Sequence, residues 1–357
     1  MKKLKPIIFS LLIVIAFFAG AEILLWRAGF RFQRNLGYLQ FGYPNQVELH
    51  QVFEPDPKLL FRMKPGYDFG EGFEPLNREG FRGKNFEREK PAGVFRIACL
   101  GDSVTFGTAQ GSYPEMLEEI LTRETPAQKF QVYNFGVPGY SSWQGKNLQA
   151  RVLKEYQPDL VIVSYGWNDY WLARGFSDAE QVVKGDSALI KIRNQLARLR
   201  IYQLLNKITA AVSQKFSRRR AGKFRVPIEQ YQENLKEMVK LARADSAKII
   251  LLTAPAGFGL GPLPDFFEYL GFVKNADELE PIHNQYNLVV QKAAKETGVP
   301  MIDLDLIFKE AGVKNLFDRP DKDIIHPNQA GLLLIAGSIA GRVRVMRNES
   351  AQKEEIK

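Results

Sequence analysis

The chain has 357 residues, 45% of them hydrophobic and 25% charged. That composition is globular, and the length allows a sizeable core with attachments. A net charge of +9 includes the basic runs at 215–220 and 223–225, but there is no zinc-finger spacing, RNA-binding aromatic motif or long basic tail, so nucleic acid is not an expected partner. The single cysteine, Cys99, rules out an internal disulfide and reads as a small core residue within an apolar run.

The N-terminus places three lysines before an apolar stretch, Ile7 to Trp26, whose single charge is Glu22. Twenty residues can span a hydrocarbon core of about 30 Å. The lysines predict a cytoplasmic N-terminus and an exported remainder, in the periplasm or at a cell surface. Ala19-Gly20-Ala21 has the small residues of a signal-peptide cleavage site, but the run continues apolar to Trp26 and Arg27, which suit an interface anchor. The favoured reading is an uncleaved signal anchor over 1–27.

A lead-in region, 28–93, is rich in aromatic residues, glycine and proline, and is read as short strands and loops packing on the following domain. From Phe95 onward the pattern is regular. Apolar runs at Phe95–Leu100, Gln131–Phe135, Leu160–Tyr165, Lys248–Thr253 and Met301–Asp303 predict strands. Helical spacing occurs at Tyr113–Arg123, Ser142–Tyr156, Ile228–Ala244, Leu279–Thr297 and Gln329 to about Met346. Near-continuous apolar strands alternating with helices predict an α/β domain, 94–346, with a parallel sheet covered on both faces. Residues 171–226 form an insertion. Leu189, Ile192, Leu196, Leu199, Leu204 and Ile208 give it an amphipathic helix with a basic face, readable as a lid, a membrane-surface contact or an ordinary peripheral helix. A polar tail, 347–357, is expected to fray.

Such sheets bind ligands at the carboxyl ends of their strands. Gly101-Asp102-Ser103 follows the first predicted strand, Gly136 the second, and Gly166-Trp167-Asn168-Asp169 the third; Asp323 and His326 precede the last helix. A serine hydroxyl is a weak nucleophile and needs a base within hydrogen-bond reach. Of the three histidines, His50 lies in the lead-in region and His283 inside a helical stretch. His326 has Asp323 three residues earlier, where a carboxylate can hold the ring's tautomer. Backbone N–H groups of Ser103 and Gly136, with the Asn168 side chain, are the expected oxyanion donors. Asp102 and one of Ser141 and Ser142 suit helix caps, Asp169 a loop hydrogen bond, and Trp167 and Trp171 packing.

Together and in this order, Gly101-Asp102-Ser103, Gly136, Gly166-x-Asn168-Asp169 and Asp323-x-x-His326-Pro327 resemble the four blocks of the SGNH, or GDSL, hydrolase superfamily, over about Phe95 to Gly341. The resemblance implies a flavodoxin-like three-layer α/β/α sandwich. It also implies a Ser-His-Asp mechanism with no metal or cofactor: Ser103 as nucleophile, His326 as base, Asp323 as its orienter, Gly136 and Asn168 completing the oxyanion hole. The lead-in segment from Pro75 resembles that of membrane-anchored bacterial members.

The leading expectation is a serine esterase acting on an acylated small molecule or envelope polymer, carbohydrate or lipid. An O-acyltransferase with the same triad, working with a membrane acyltransferase partner, is the alternative. A non-catalytic carbohydrate-binding or scaffold module is the third reading.

Overall fold

The computed structural model describes residues 4–30, 52–70, 72–173, 177–181, 196, 199–217, 223–264, 266–269, 272–319 and 321–355. Helix α1, Leu4–Arg27, carries the N-terminal apolar run. Its span Ile8–Arg27 has a mean hydropathy of 2.6 and none of it is buried against protein. By length and composition it is therefore a candidate membrane anchor or signal sequence.

In the lead-in region, β1 (Phe53–Asp56) and β2 (Leu60–Met63) pair antiparallel. Phe61 packs edge-on against Tyr140, whose hydroxyl donates to the Phe61 carbonyl at 2.6 Å, and Gln144 donates to the Leu59 carbonyl. The hairpin is thus fastened beside the chain leaving a central strand.

The domain's sheet begins with β3 (Val94–Gly101), which leads into the four-residue helix α2 (Ser103–Phe106) and then α3 (Tyr113–Glu124). It continues with β4 (Lys129–Gly136), α4 (Ser142–Tyr156) and β5 (Leu160–Ser164). Within the insertion lies α5 (Arg200–Ser217), followed by α6 (Ile228–Ala244), β6 (Lys248–Leu252) and the short α7 (Phe266–Tyr269). The chain closes with α8 (Leu279–Thr297), β7 (Met301–Ile302), α9 (Leu304–Ala311) and α10 (Gln329–Glu355). The strand order is β4-β3-β5-β6-β7, every neighbouring pair parallel. All five residues of β5 are buried, as a strand covered on both faces requires.

Register places the functional edge. Gly101 pairs with Gly136 on one side and Ser164 on the other, so the loops leaving β3, β4 and β5 start level. The short helix α2 then settles onto that edge. A Cβ on Gly101 would lie 1.9 Å from Thr105 Oγ1, and one on Gly136 would lie 2.3 Å from the Phe106 nitrogen. Both positions need glycine because α2 presses on them.

Leu332, Ile335, Ala336, Ile339, Ala340 and Val343 form the buried stripe of α10. That helix runs to Glu355, past the expected end near Met346, so much of the tail expected to fray is helical. Its sequence, Ala351-Gln-Lys-Glu-Glu355, is made of good helix formers. In the insertion, α5 continues to Ser217, beyond the amphipathic run read from the sequence. Leu189 and Ile192 of that run lie outside the described residues, as does His50.

Candidate active site

Asp102 caps the start of α2, its Oδ1 accepting from the Val104 N–H at 2.9 Å, and this turn presents Ser103 at the sheet edge. The Ser103 Oγ lies 2.7 Å from His326 Nε2, although 223 residues separate them in sequence. His326 Nδ1 lies 2.7 Å from Asp323 Oδ2. The other Asp323 oxygen accepts the backbone N–H groups of Ile325 and His326. That local turn holds the carboxylate against its own histidine. Asp323 therefore needs only a three-residue spacing, while Ser103 needs the whole fold.

With the carboxylate fixed on Nδ1, that nitrogen carries the proton and Nε2 faces the serine as an acceptor. Burial works against charge on His326, but the Asp323 hydrogen bond and charge outweigh it, with Asp102 adding to them. The net effect raises its pKa above the ordinary 6.5. Burial alone would raise Asp323; the His326 hydrogen bond and charge overcome it and leave the carboxyl below its ordinary value. Asp102 behaves differently. Burial pushes it up to about 6, against the pull of the Val104 N–H and the His326 charge.

Asn168 is 5% exposed and its amide orientation is determined by chemistry. Trp171 Nε1, which can only donate, lies 3.2 Å from Asn168 Oδ1. The Nδ2 group therefore faces Asp102 Oδ2, at 3.3 Å, and spends one N–H there, leaving the second for a ligand. Trp171 thus orients Asn168 as well as packing. Asp169 is buried, accepts the Ser142 N–H at 2.9 Å, and is pushed up to about 8 by burial. It fastens the β5 loop to the start of α4, which Ser141 caps through a reciprocal bond with Gln144.

Gly136 departs from the expectation. Its N–H donates to Asn134 Oδ1 at 2.9 Å, so it is occupied and cannot serve as an oxyanion donor in this arrangement. What Gly136 supplies is room for α2. Further along the same loop, the Val137 N–H donates to the Gly101 carbonyl and the Tyr140 N–H to the Val137 carbonyl. Pro138 has no N–H. Gly139, at φ +84°, sits third in a turn whose second residue is proline, the geometry of a type II turn. Among the described residues nothing accepts its N–H, nor that of Ser103. Sequence reasoning missed Gly139; the Pro138-Gly139 dipeptide, which predicts that turn, was the available signal.

Arg225, fully buried, donates to the Gly139 carbonyl at 2.9 Å and to Gln144 at 3.0 Å, and pairs with the equally buried Asp178 at 2.7 Å. The β4 loop is thereby held from behind by the returning end of the insertion. Among the described residues, no three His, Cys, Asp or Glu side chains gather as a metal site would need.

Three comparisons with known proteins bear on this chain. Residues 99–332 match the GDSL-like Lipase/Acylhydrolase family. Solved structures of similar fold include a lipase/acylhydrolase from Enterococcus faecalis, 19% identical, covering 71% of this chain and 96% of its own, at a TM-score of 0.43. They also include Axe2, an acetylxylan esterase from Geobacillus stearothermophilus, 19% identical, covering 69% and 92%, at a TM-score of 0.41. Among curated proteins, none matches the sequence.

Proposed function

This chain belongs to the GDSL-like lipase/acylhydrolase family and is an ester-hydrolysing enzyme; from that premise we propose that it works through an acyl-enzyme on Ser103, on an acylated carbohydrate or lipid of the cell envelope. The observation that carries this reading is the unbroken chain from Asp323 through His326 to Ser103, with both links at 2.7 Å.

His326 Nε2 takes the Ser103 hydroxyl proton as Oγ attacks the ester carbonyl carbon. The carbonyl oxygen becomes an oxyanion and receives the N–H groups of Ser103 and Gly139 and the unspent N–H of Asn168 Nδ2. Each such donor contributes about 2.7–4 kcal/mol to the transition state. The intermediate collapses as the imidazolium returns its proton to the leaving alcohol. Water, deprotonated by the same nitrogen, then attacks the acyl carbon and releases the acid with Ser103 restored. Asp323 stays ionised and steadies the imidazolium in both halves.

The N-terminal lysines before the apolar run support an extracytoplasmic catalytic domain. A fluorophosphonate probe and a series of p-nitrophenyl esters from acetyl to palmitoyl, applied to the full-length protein in detergent, test the mechanism. The wild type should label and turn over esters, and Ser103→Ala should do neither. A folded wild type that neither labels nor hydrolyses any ester overturns it, as does equal labelling of Ser103→Ala. Sugar acceptors added to the assay show whether water or a hydroxyl resolves the acyl-enzyme.

A further inference from the structure

Glu22 is the one charge in the apolar run of α1, five residues before its end at Arg27. At 1.5 Å per residue that is about 7.5 Å below the outer end of the helix. An acid at such a depth needs a partner. Its two oxygens accept the first backbone N–H groups of α5: Arg200 to Oε1 at 2.8 Å and Ile201 to Oε2 at 3.0 Å. The carboxylate thus caps a helix from a distant part of the chain, and its charge suits the positive end of that helix.

A second contact gives the direction. Lys207 sits 5.6 Å from the ring of Phe30, just past the end of α1. Eight residues along the anchor therefore match seven along α5, and the two run outward side by side. If α1 is embedded, the first turns of α5 start at the depth of Glu22 and climb to the headgroup level at Lys207. Three large apolar side chains are exposed along that climb, Leu199 at 44%, Leu205 at 53% and Ile208 at 52%, with Lys207 and Thr209 exposed beside them. Leu205 and Ile208 share one face by their spacing. Arg200 and Lys207 stand along the same climb and can reach the phosphates with their charged ends. An interfacial helix buries its apolar face about 5–10 Å into this boundary.

We propose that the exposed apolar face of α5 is seated in the outer lipid interface, its depth set by the Glu22 cap, so that the insertion tethers the rim of the Ser103 site to the bilayer. The inference rests on the proposed extracytoplasmic placement and on α1 remaining as an uncleaved anchor. The rim connection follows from the neck of the insertion. Leu172 and Phe224 bridge antiparallel, and the Ala173 N–H donates to the Lys223 carbonyl at 2.7 Å, only a few residues after Asn168. From Lys207 at the headgroup level α5 continues ten residues, about 15 Å, to its end at Ser217, and Lys223 follows within six residues, at most about 21 Å of chain. Esters carried on outer-leaflet amphiphiles are then the nearest substrates, and freely diffusing esters lose that advantage.

The test uses the full-length protein in phosphatidylglycerol/phosphatidylcholine vesicles, with a nitroxide on single introduced cysteines. Native Cys99 is fully buried and its thiol pKa is pushed far up by burial, so it stays unlabelled. Leu199→Cys, Leu205→Cys and Ile208→Cys should favour oxygen over a water-soluble nickel relaxant, Leu199→Cys most. Lys240→Cys on α6 is the aqueous control. In a Glu22→Ala background the α5 sites should lose that preference and fall to the Lys240→Cys value. Water-like values at all α5 sites with Glu22 intact overturn the proposal. So does spin–spin broadening that marks a second copy on this face, or loss of residues 1–27 from the membrane-bound chain. Hydrolysis of p-nitrophenyl acetate by the same vesicles reads the Ser103 chemistry separately. It should be unchanged in Glu22→Ala, while hydrolysis of a vesicle-borne long-chain ester drops.

Discussion

Two histidines lie in the described structure, and identical side chains have become opposite things. His326 is part-exposed, has a carboxylate on one nitrogen and a serine hydroxyl on the other, and its pKa is raised. His283 is 1% exposed, between the Tyr170 hydroxyl at 3.1 Å and the Ala254 carbonyl at 2.9 Å, with Asn287 beside it and the Trp167 ring centred 4.5 Å away at a tilt of 38°. Burial drives its pKa down to about 3. Both rings are fully hydrogen-bonded. The difference is a carboxylate: it stabilises a transient positive charge on His326, and nothing does so for His283, which is a neutral strut among aromatics.

The strongest way to break this contrast is to remove each ring in turn. His326→Ala should lower kcat/KM on the order of 10⁶-fold, as loss of a triad member does, without unfolding the protein. His283→Gln should leave kcat/KM of the folded fraction near wild type. A comparable collapse in both variants, measured on p-nitrophenyl acetate with folding followed by circular dichroism, would abolish the distinction.

Next in size, Asn168→Ala should cost about 10²–10³ in kcat with KM little changed, because its free N–H acts on the oxyanion. A loss in KM alone would make Asn168 a ground-state contact instead.

The strut is sharpened by pH. Folded His283 stays neutral down to about pH 3, while in the unfolded chain it takes a proton near 6.5. The unfolded state therefore binds more protons in that window, and stability falls as pH drops through it. This one group contributes about 1.4 kcal/mol per pH unit there. Urea titrations from pH 6.5 to 4 should show a shallower slope for His283→Gln than for wild type.

The smallest effect concerns the acid limb of kcat/KM. His326 must be neutral to act as a base, so activity should rise with pH through a value above 6.5. Asp102 is one of the negative charges that raise it. Asp102→Asn removes that charge, so the limb should move to lower pH. A limb that stays in place would remove Asp102 from the electrostatics of the base, leaving it the cap of α2.

Much of the sheet was legible because its signals are local. The apolar runs of β3 to β7 were read within a residue or two, since a strand buried on both faces must be continuously apolar. Asp323 and His326 were legible as a pair because one turn joins them. Gly136 and Gly139 were not separable, since both are glycines at the same end of one strand, Gly136 its last residue and Gly139 three beyond. Which N–H remains free depends on the Asn134 side chain and the Gly101 carbonyl, and neither partner is visible from the glycines themselves. The Arg225–Asp178 pair was also missed: two charges 47 residues apart gave no reason to expect a buried bond at 0% exposure.

The sequence by itself determined the elements, their alternation, the apolar N-terminal run and the residue types able to do acyl chemistry, because propensity, periodicity and short-range spacing act within a few residues. The tertiary structure alone decided which serine met which histidine, which glycine kept its N–H, and that Glu22 caps a helix 178 residues away. Those outcomes depend on register and close packing, which bring distant residues together with tolerances of a few tenths of an ångström.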